Sequence, residues 1–345
     1  MPESTRAYRR VVAGRRTNLA LRVLLPSAAV TGGLAFLVGS GPVRLVVLTH
    51  ALVGLAIVLL LPWKSTIARR GLRRRRRDRW LSLVLAAAVV TSLLGGLAHS
   101  TGLLVVGAIG GLPLSAMQVH VAAGLLAVAA GLAHARRRRT RARADDLSRR
   151  SVLRAGALVA ASAGAWAALE GTAAALSLRG ADRRPTGSYE LSSGDPTGLP
   201  TTSWLLDTVP DVSRWRLTVA SGGARRSWTA ADLDAYDDTV SAVIDCTGGW
   251  WSRQEWTGVR VRRLLPDGAT GSVEVVSATG YRRRLPLTDD LLLARAVGGR
   301  PLNAGHGAPL RLVVPGRRGF HWVKWVVAIE HDDRPWWLQP PLPLR

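Results

Sequence analysis

The only cysteine among the 345 residues, Cys246, stands in the stretch VIDCTGGWW. With no second cysteine an internal disulfide is excluded, and the thiol needs another purpose or none. The apolar run before it and the glycines after it predict a strand that ends and opens into a loop. A thiolate at such a place is accessible, and it can ligate a soft metal or act as a nucleophile. A buried, inert thiol is the alternative. Neither zinc nor a thiol-nucleophile triad finds support, because no further Cys or His lies at close spacing.

Two histidines form a second candidate constellation. His50 follows Val43 by seven residues and His120 follows Pro113 by seven, each near the start of a long apolar run. If both runs cross a membrane in the same direction, the two imidazoles share a depth of roughly 10 Å at 1.5 Å per helical residue. Ionisable side chains in that setting are costly and usually functional. The matched pair suits bis-histidine ligation of one b-type haem. The other reading is interhelical hydrogen bonding in a plain anchor bundle. His134 lies fourteen residues beyond His120, but Lys64 holds the corresponding place after His50, so a regular second haem is not expected. His99 is expected at the membrane interface. Glu170, the only acid within an apolar run, is a weak pointer to quinol or proton chemistry.

The elements that must carry these residues follow from composition. Residues 1–180 hold 26 of the 47 Lys and Arg but 5 of the 23 Asp and Glu. The basic clusters Arg69–Arg79 and Ala135–Arg143 sit directly beside apolar runs, which argues for cytoplasmic loops of a membrane protein and against nucleic acid as a partner. Val43–Pro62, Trp80–His99, Pro113–Ala135 and Val152–Leu176 each supply about 20 apolar residues, enough to span the hydrocarbon core. Leu19–Val38 is a fifth, weakened by Arg22 and Pro26. The expected layout is an all-α transmembrane bundle of about five helices in a bacterial cell membrane. With the basic segments inside, everything beyond helix five lies on the extracytoplasmic side.

Before the fifth run stands Ser148-Arg149-Arg150-Ser151-Val152-Leu153, which resembles the twin-arginine export signal, here placed internally. That route exports folded proteins, often with a cofactor already inserted. The expected division is therefore 1–147 for four membrane helices, 148–180 for the signal and fifth helix, 181–200 for a Gly/Pro/Ser-rich linker, and 201–345 for a second domain. Short β-branched runs such as TVSAVIDC, SVEVVSA and WVKWVVAIE give that domain a mixed α+β, mainly β, character. Helices are expected only around Thr229–Tyr236 and Asp289–Ala296.

The runs CTGGWWSRQEWTGVRVRRLL and, some 60 residues later, NAGHGAPLRLVVPGRRGFHWVKWVVAIE resemble the two signature segments of the sulfite oxidase family of molybdopterin enzymes. The resemblance implies a molybdenum-molybdopterin cofactor with Cys246 on the metal, and His306, Arg311 and Lys324 as cofactor contacts. Without it, Arg311 and Lys324 would read as solvent-facing strand charges. Thr279 and Ser203 fall near further contact positions, with Thr279 the one carried forward. Close approach by backbone amides is expected at Gly305 and Gly307. Sulfite-oxidising members place an arginine soon after the cysteine, where this chain has Gly248, Gly249, Trp250 and Trp251. That departure disfavours a small dianion and suits a neutral substrate.

The combined expectation is a membrane-anchored oxidoreductase performing oxygen-atom transfer on a small molecule. It would exchange electrons through the membrane domain with a quinone, quinol or other redox partner. A cofactor-free scaffold that keeps the fold is the alternative.

Overall fold

A computed structural model describes residues 3–39, 41–74, 79–102, 106–109, 112–137, 143, 146, 148–203 and 207–342. Parts of both basic loops, 75–78 and 138–142, lie outside these residues. The chain forms two units: 1–36 with 42–187, and 37–41 with 188–345.

The first unit is helical: α1 (Glu3–Leu37), α2 (Val43–Arg74), α3 (Arg79–Thr101), α4 (Ala116–Arg137) and α5 (Arg149–Ala175), with a small hairpin of β1 (Val106–Ile109) and β2 (Leu112–Ser115) before α4. Each of the five helices contains a stretch of at least 18 residues long and apolar enough to cross a membrane. Large apolar side chains such as Val30, Leu45, Leu125 and Val159 point outward, the surface a bilayer would cover. The fourth helix starts at Ala116, not at Pro113 as its apolar run suggests. Ser115 and Gln118 form a reciprocal cap: the Ser115 amide donates to Gln118 Oε1 (2.8 Å) and the Gln118 amide to Ser115 Oγ (3.1 Å).

Two polar side chains of this unit have structural partners. His99 is buried, and its Nε2 lies 2.8 Å from the Gly187 carbonyl. Glu170 is ion-paired with Arg183, whose guanidinium also bonds the Ser100 carbonyl at 2.7 Å.

The second unit is built from strands: β3 (Tyr189–Glu190), β4 (Leu217–Ser221), β5 (Ala224–Trp228), then the one-turn helix α6 (Ala230–Leu233), β6 (Asp238–Cys246), β7 (Trp250–Arg260), β8 (Ser272–Ser277), β9 (Arg282–Pro286), β10 (Leu292–Val297), β11 (Arg300–Pro301), β12 (Arg311–Val313) and β13 (Val326–Asp332). One sheet runs β11-β10-β7-β3, with β6 also on β7 and β12 also on β10; the other runs β5-β4-β13-β8-β9. Only β3–β7 and β13–β4 pair in parallel among the described strands. The core that unites them includes Leu217, Trp256, Val273, Val275, Leu292, Leu312 and Ile329, all essentially inaccessible.

Two sequence expectations change here. The stretch Asp289–Ala296 is no helix; most of it is β10, hydrogen-bonded to both β7 and β12. Its run LLARAV is buried on both faces, so it lacks alternation, and a short continuous apolar run does not tell strand from helix. The stretch read as linker is also ordered beyond Gly187. The Tyr189 and Leu191 amides donate to the carbonyls of Gly249 (3.0 Å) and Trp251 (2.8 Å), and Gln254 holds the Ser192 carbonyl at 2.6 Å. Turn-rich composition predicts an irregular path, but β7 offers backbone groups that need partners, and this segment supplies them.

Candidate active site

Cys246 is the last residue of β6, and a tight turn over Thr247–Gly249 leads into β7, with Cys246 paired opposite Trp250. The period of a strand puts Ala242, Ile244 and Cys246 on one face, toward the core, and Asp245 on the other. On that other face Asp245 accepts from Ser188 Oγ at 2.7 Å and from the Arg318 guanidinium, all three side chains being buried. This ion pair, absent from the sequence expectations, pins the strand end immediately before the thiol.

The thiol lines a cavity that is open to solvent. Its walls include Trp250, Trp322, Trp325, Tyr281 and Phe320, with Arg311, Lys324, Asp207, Thr202 and Ser203 as the polar groups. The Gly248 amide donates to Cys246 Sγ at 3.3 Å. Burial pushes the Cys246 thiol up, opposed by that amide, by Thr202 and by Arg318.

Arg311, on β12, is buried with its guanidinium over the rings of Trp256 (5.5 Å) and Trp322 (5.7 Å). Its NH1 donates to the His306 carbonyl at 3.2 Å, and its Nε has no partner among the described residues. Burial lowers its pKa to about 10. A buried cation with donors unspent is costly unless an anion joins it. Lys324 stands nearby, its Nζ donating to the Gly305 carbonyl at 2.5 Å. Burial, then the charge of Arg311, lowers its pKa to about 7, against the pull of Cys246 and Asp207.

A strained backbone places this lysine. Trp325, the next residue, has φ +51°, a left-handed conformation that is rare for a bulky side chain. Three bonds hold it: indole Nε1 to the Ala304 carbonyl (2.8 Å), its amide to Gly307 O (3.3 Å), and its carbonyl from the Ala278 amide (2.8 Å). Gly307 has φ +109°, and a Cβ there would come within 3.0 Å of Lys324 Cβ. The glycine is therefore needed for its turn and for the lysine's packing, where close amide approach was the expectation.

The remaining expected contacts lie further back. His306 is buried, with Nε2 3.0 Å from the Leu199 carbonyl and 3.2 Å from Thr201 Oγ1. Burial and Arg311 push its pKa down, so a neutral ring donates to Leu199 and pins the segment that leads to Thr202 and Ser203. Thr279 reaches Ser277 Oγ at 3.2 Å and Asp207 at 3.5 Å, one contact behind the wall. Of the two tryptophans after the cysteine, Trp250 lines the cavity, whereas Trp251 follows it on the opposite face of the pleat. Composition suggests two; alternation allows one. Asp207, Tyr281 and Phe320 were not foreseen, since nothing in their local sequence marks them.

In the helical unit His50 and His120 meet, with Nε2 atoms 3.5 Å apart. The Nδ1 of His120 lies 2.7 Å from the Ser92 carbonyl, an acceptor only, so Nδ1 carries the proton. The Nδ1 of His50 faces Thr31 Oγ1 at 3.1 Å, whose own proton goes to the Ser27 carbonyl at 2.7 Å, so it too is the donor. Both Nε2 lone pairs therefore point at each other, which suits a cation between them. A Cβ on Gly96 would come within 2.9 Å of the His120 ring, so α3 must be bare there for the imidazole to fit. Metal–imidazole bonds of about 2.0–2.1 Å would require the pair to open slightly for collinear ligation.

The shift of Lys324 gives a pH prediction for cofactor-free full-length protein. Its folded pKa of about 7 lies below the unfolded 10.5, so within that window the unfolded chain holds an extra proton and stability rises with pH. Cys246 acts oppositely: its folded pKa exceeds 9.0, so its contribution is complete below 9.0 and lost as pH rises past it. Melting temperature is expected to climb between pH 7 and 9, and Lys324→Met should flatten the climb. A climb of equal slope in that variant would assign the effect elsewhere.

Comparison with known proteins adds to this geometry. Residues 206–337 match the family model described as oxidoreductase molybdopterin binding domain. Rat mitochondrial sulfite oxidase is 26% identical over 164 residues, covering 36% of this chain and 30% of the relative. Nitrate reductase [NADPH] of Mycosarcoma maydis is 50% identical over 77 residues, 22% of this chain and 8% of the relative. The protein-methionine-sulfoxide reductase catalytic subunit MsrP of Xanthomonas axonopodis pv. citri (strain 306) is 28% identical over 151 residues, 36% of this chain and 46% of the relative. The chain thus spans less than half the length of each of these relatives.

The residues present fit the cofactor that the family model names. A thiolate is the soft ligand molybdenum takes, and the unspent Nε of buried Arg311, with Lys324 in the same cavity, calls for an anionic group such as the pterin phosphate. Residues 206–337 accordingly form an oxidoreductase molybdopterin-binding domain, similar in sequence to parts of sulfite oxidase and of MsrP.

Proposed function

We propose that this chain is a membrane-anchored oxidoreductase that performs oxygen-atom transfer on a small neutral substrate, a sulfoxide foremost, at a molybdenum held by Cys246. The observation that carries the reading is the convergence of Cys246, Arg311 and Lys324 on one aromatic-walled cavity. When bound, the molybdopterin supplies oxygen-atom transfer coupled to two-electron exchange. The protein's share is to bind, orient and exclude. Cys246 adds a sulfur to those of the pterin, and Arg311 and Lys324 hold the phosphate. His306, through its carbonyl on Arg311 and its ring on Leu199, keeps both sides of the cavity in place.

The walls favour a neutral, partly apolar substrate. Trp250, Trp322 and Phe320 displace water and offer flat surfaces, which raises the cost of a naked dianion. Arg311 and Lys324 are the only cations among the described lining residues, and the phosphate occupies them. Tyr281 donates to the Phe320 carbonyl, and burial holds its hydroxyl protonated well above the usual range, so it fixes Phe320 and does not act as a base. The relative whose name specifies methionine sulfoxide supports the sulfoxide over sulfite.

The five apolar helices support membrane anchoring, and the arginine-rich loops support an extracytoplasmic catalytic domain. Ser148–Leu153, at the start of α5, serves as an internal twin-arginine signal for exporting that domain folded. His50 and His120 ligate one b-type haem, supported by their converging lone pairs, and the haem passes electrons singly between a quinone and the catalytic domain. Glu170, paired with Arg183, is not assigned proton chemistry.

Full-length protein from a pterin-competent host tests this. About one molybdenum per chain is expected, with dye-driven reduction of sulfoxides outpacing any sulfite oxidation. A Soret band is expected that His50→Ala and His120→Ala each remove. Absence of molybdenum defeats the enzyme reading; faster sulfite oxidation defeats the substrate; a Soret band that survives both substitutions defeats the haem.

A further inference from the structure

Outside the cavity, His321 lies within the fields of Arg283 and Arg317, and neither arginine has an acid paired with it among the described residues. Arg283 on β9 and His321 are buried, at 3% and 6% exposure, and Arg317 is half-buried. Arg283 Nε and His321 Nδ1 have no hydrogen-bond partner among the described residues. Arg283 donates one bond, from NH1 to the Pro340 carbonyl at 3.1 Å, and lies over the Phe320 ring at 5.5 Å. Arg317 lies over the Trp336 ring at 4.4 Å. Among the described residues neither arginine forms a salt bridge, unlike adjacent Arg284, which pairs with Asp332 and Glu274. His321 feels the charge of both arginines and stacks on Phe320 with ring centroids 4.3 Å apart.

A buried cation with a donor unspent, as Arg283 is, costs stability unless an anion completes it. The cluster adjoins the cavity because Phe320 belongs to both: its ring lines the cavity and packs against Arg283 and His321. The C-terminal segment around Trp336 and Pro340 contacts both arginines from the other side. Arg311 and Lys324 serve a different place, on β12 and before β13.

We propose that Arg283, Arg317 and His321 form an oxyanion site of their own, which takes the carboxylate, sulfonate or phosphate group of a small ligand beside the aromatic wall of the cavity. The planar guanidinium forks give paired donors to an oxyanion, and His321 adds a third direction. The site goes beyond the proposed activity and does not require molybdenum. Its oxyanion comes either from free solution or from the charged end of a substrate whose neutral reacting group enters the cavity.

Titration calorimetry of the molybdopterin-loaded full-length protein, in which Arg311 and Lys324 are engaged by the cofactor, with inorganic phosphate and separately sulfate is the test. One saturable site per chain is expected. Arg283→Gln and Arg317→Gln should each weaken it at least about tenfold, the loss of one charged hydrogen-bond partner. Arg225→Gln, an exposed arginine on β5, should leave it unchanged. No saturable binding, or binding that survives both substitutions and is lost in Arg311→Gln, overturns the site. Melting with and without phosphate guards against misfolding: Arg283→Met should melt at or above the native temperature in phosphate-free buffer and lose the phosphate-induced rise. If it instead melts lower by the same amount in both buffers, Arg283 is a packing residue and the proposal fails. A carboxylate-bearing sulfoxide compared with its neutral ester separates the two sources. A KM advantage for the acid that Arg283→Gln erases identifies the substrate's own charge, and equal KM values identify a free oxyanion.

Discussion

Replacing Cys246 with alanine is expected to reduce turnover of the molybdenum-loaded enzyme by at least about 10³-fold, roughly 4 kcal/mol of transition-state stabilisation. The side chain is small and 7% exposed, so its loss leaves little void, and the domain should stay folded. Arg311 and Lys324 remain, so pterin content should fall far less than activity. Cys246→Ser, which keeps the size and exchanges a soft donor for a hard one, should lose activity nearly as far. The check is parallel measurement of dye-linked turnover, pterin and molybdenum content, and circular dichroism. If the alanine variant retains more than a tenth of native turnover with full metal, Cys246 is not the ligand.

Asp245→Ala should produce the largest loss of stability, about 3–5 kcal/mol, because it leaves the Arg318 guanidinium buried without its carboxylate. Asp245 and Arg318 are 4% exposed each, and Ser188 Oγ, fully buried, loses its acceptor as well. Against typical domain stabilities of about 5–15 kcal/mol this is a large fraction. Because Asp245 immediately precedes Cys246, the strand end that presents the thiol should loosen too, and cofactor loading should fall with stability. Chemical denaturation of the full chain reads the loss. A double variant, Asp245→Ala with Arg318→Met, should recover most of it, since removing both leaves no buried charge without its counter-charge. A double variant no more stable than the single one would show that Arg318 has other work there.

How far the site was legible depends on whether local pattern carried the information. Cys246 at a strand end is readable because an apolar run meeting glycines changes period within a few residues. Arg311 and Lys324 are readable only through the resemblance; by alternation alone they would be surface charges, and both in fact face the cavity. β10 misleads because a strand buried on both faces has no period to read. The packing of Gly307 against Lys324 was not legible in the sequence, since the two residues are brought together only by the fold.

By itself the sequence determined the division into an arginine-flanked apolar half and a β-rich half, the two signature segments, and the lone thiol, because hydropathy, charge and turn chemistry act over neighbouring residues. Only the tertiary structure decided which of Trp250 and Trp251 meets the cavity, that Asp245 is matched by Arg318, and that His306 braces a loop. It alone shows the lone pairs of His50 and His120 converging, and leaves Arg283 and Arg317 without a paired acid among the described residues. Each of these is a meeting of side chains from separate elements, and such meetings are set by strand register and packing, which local composition does not encode.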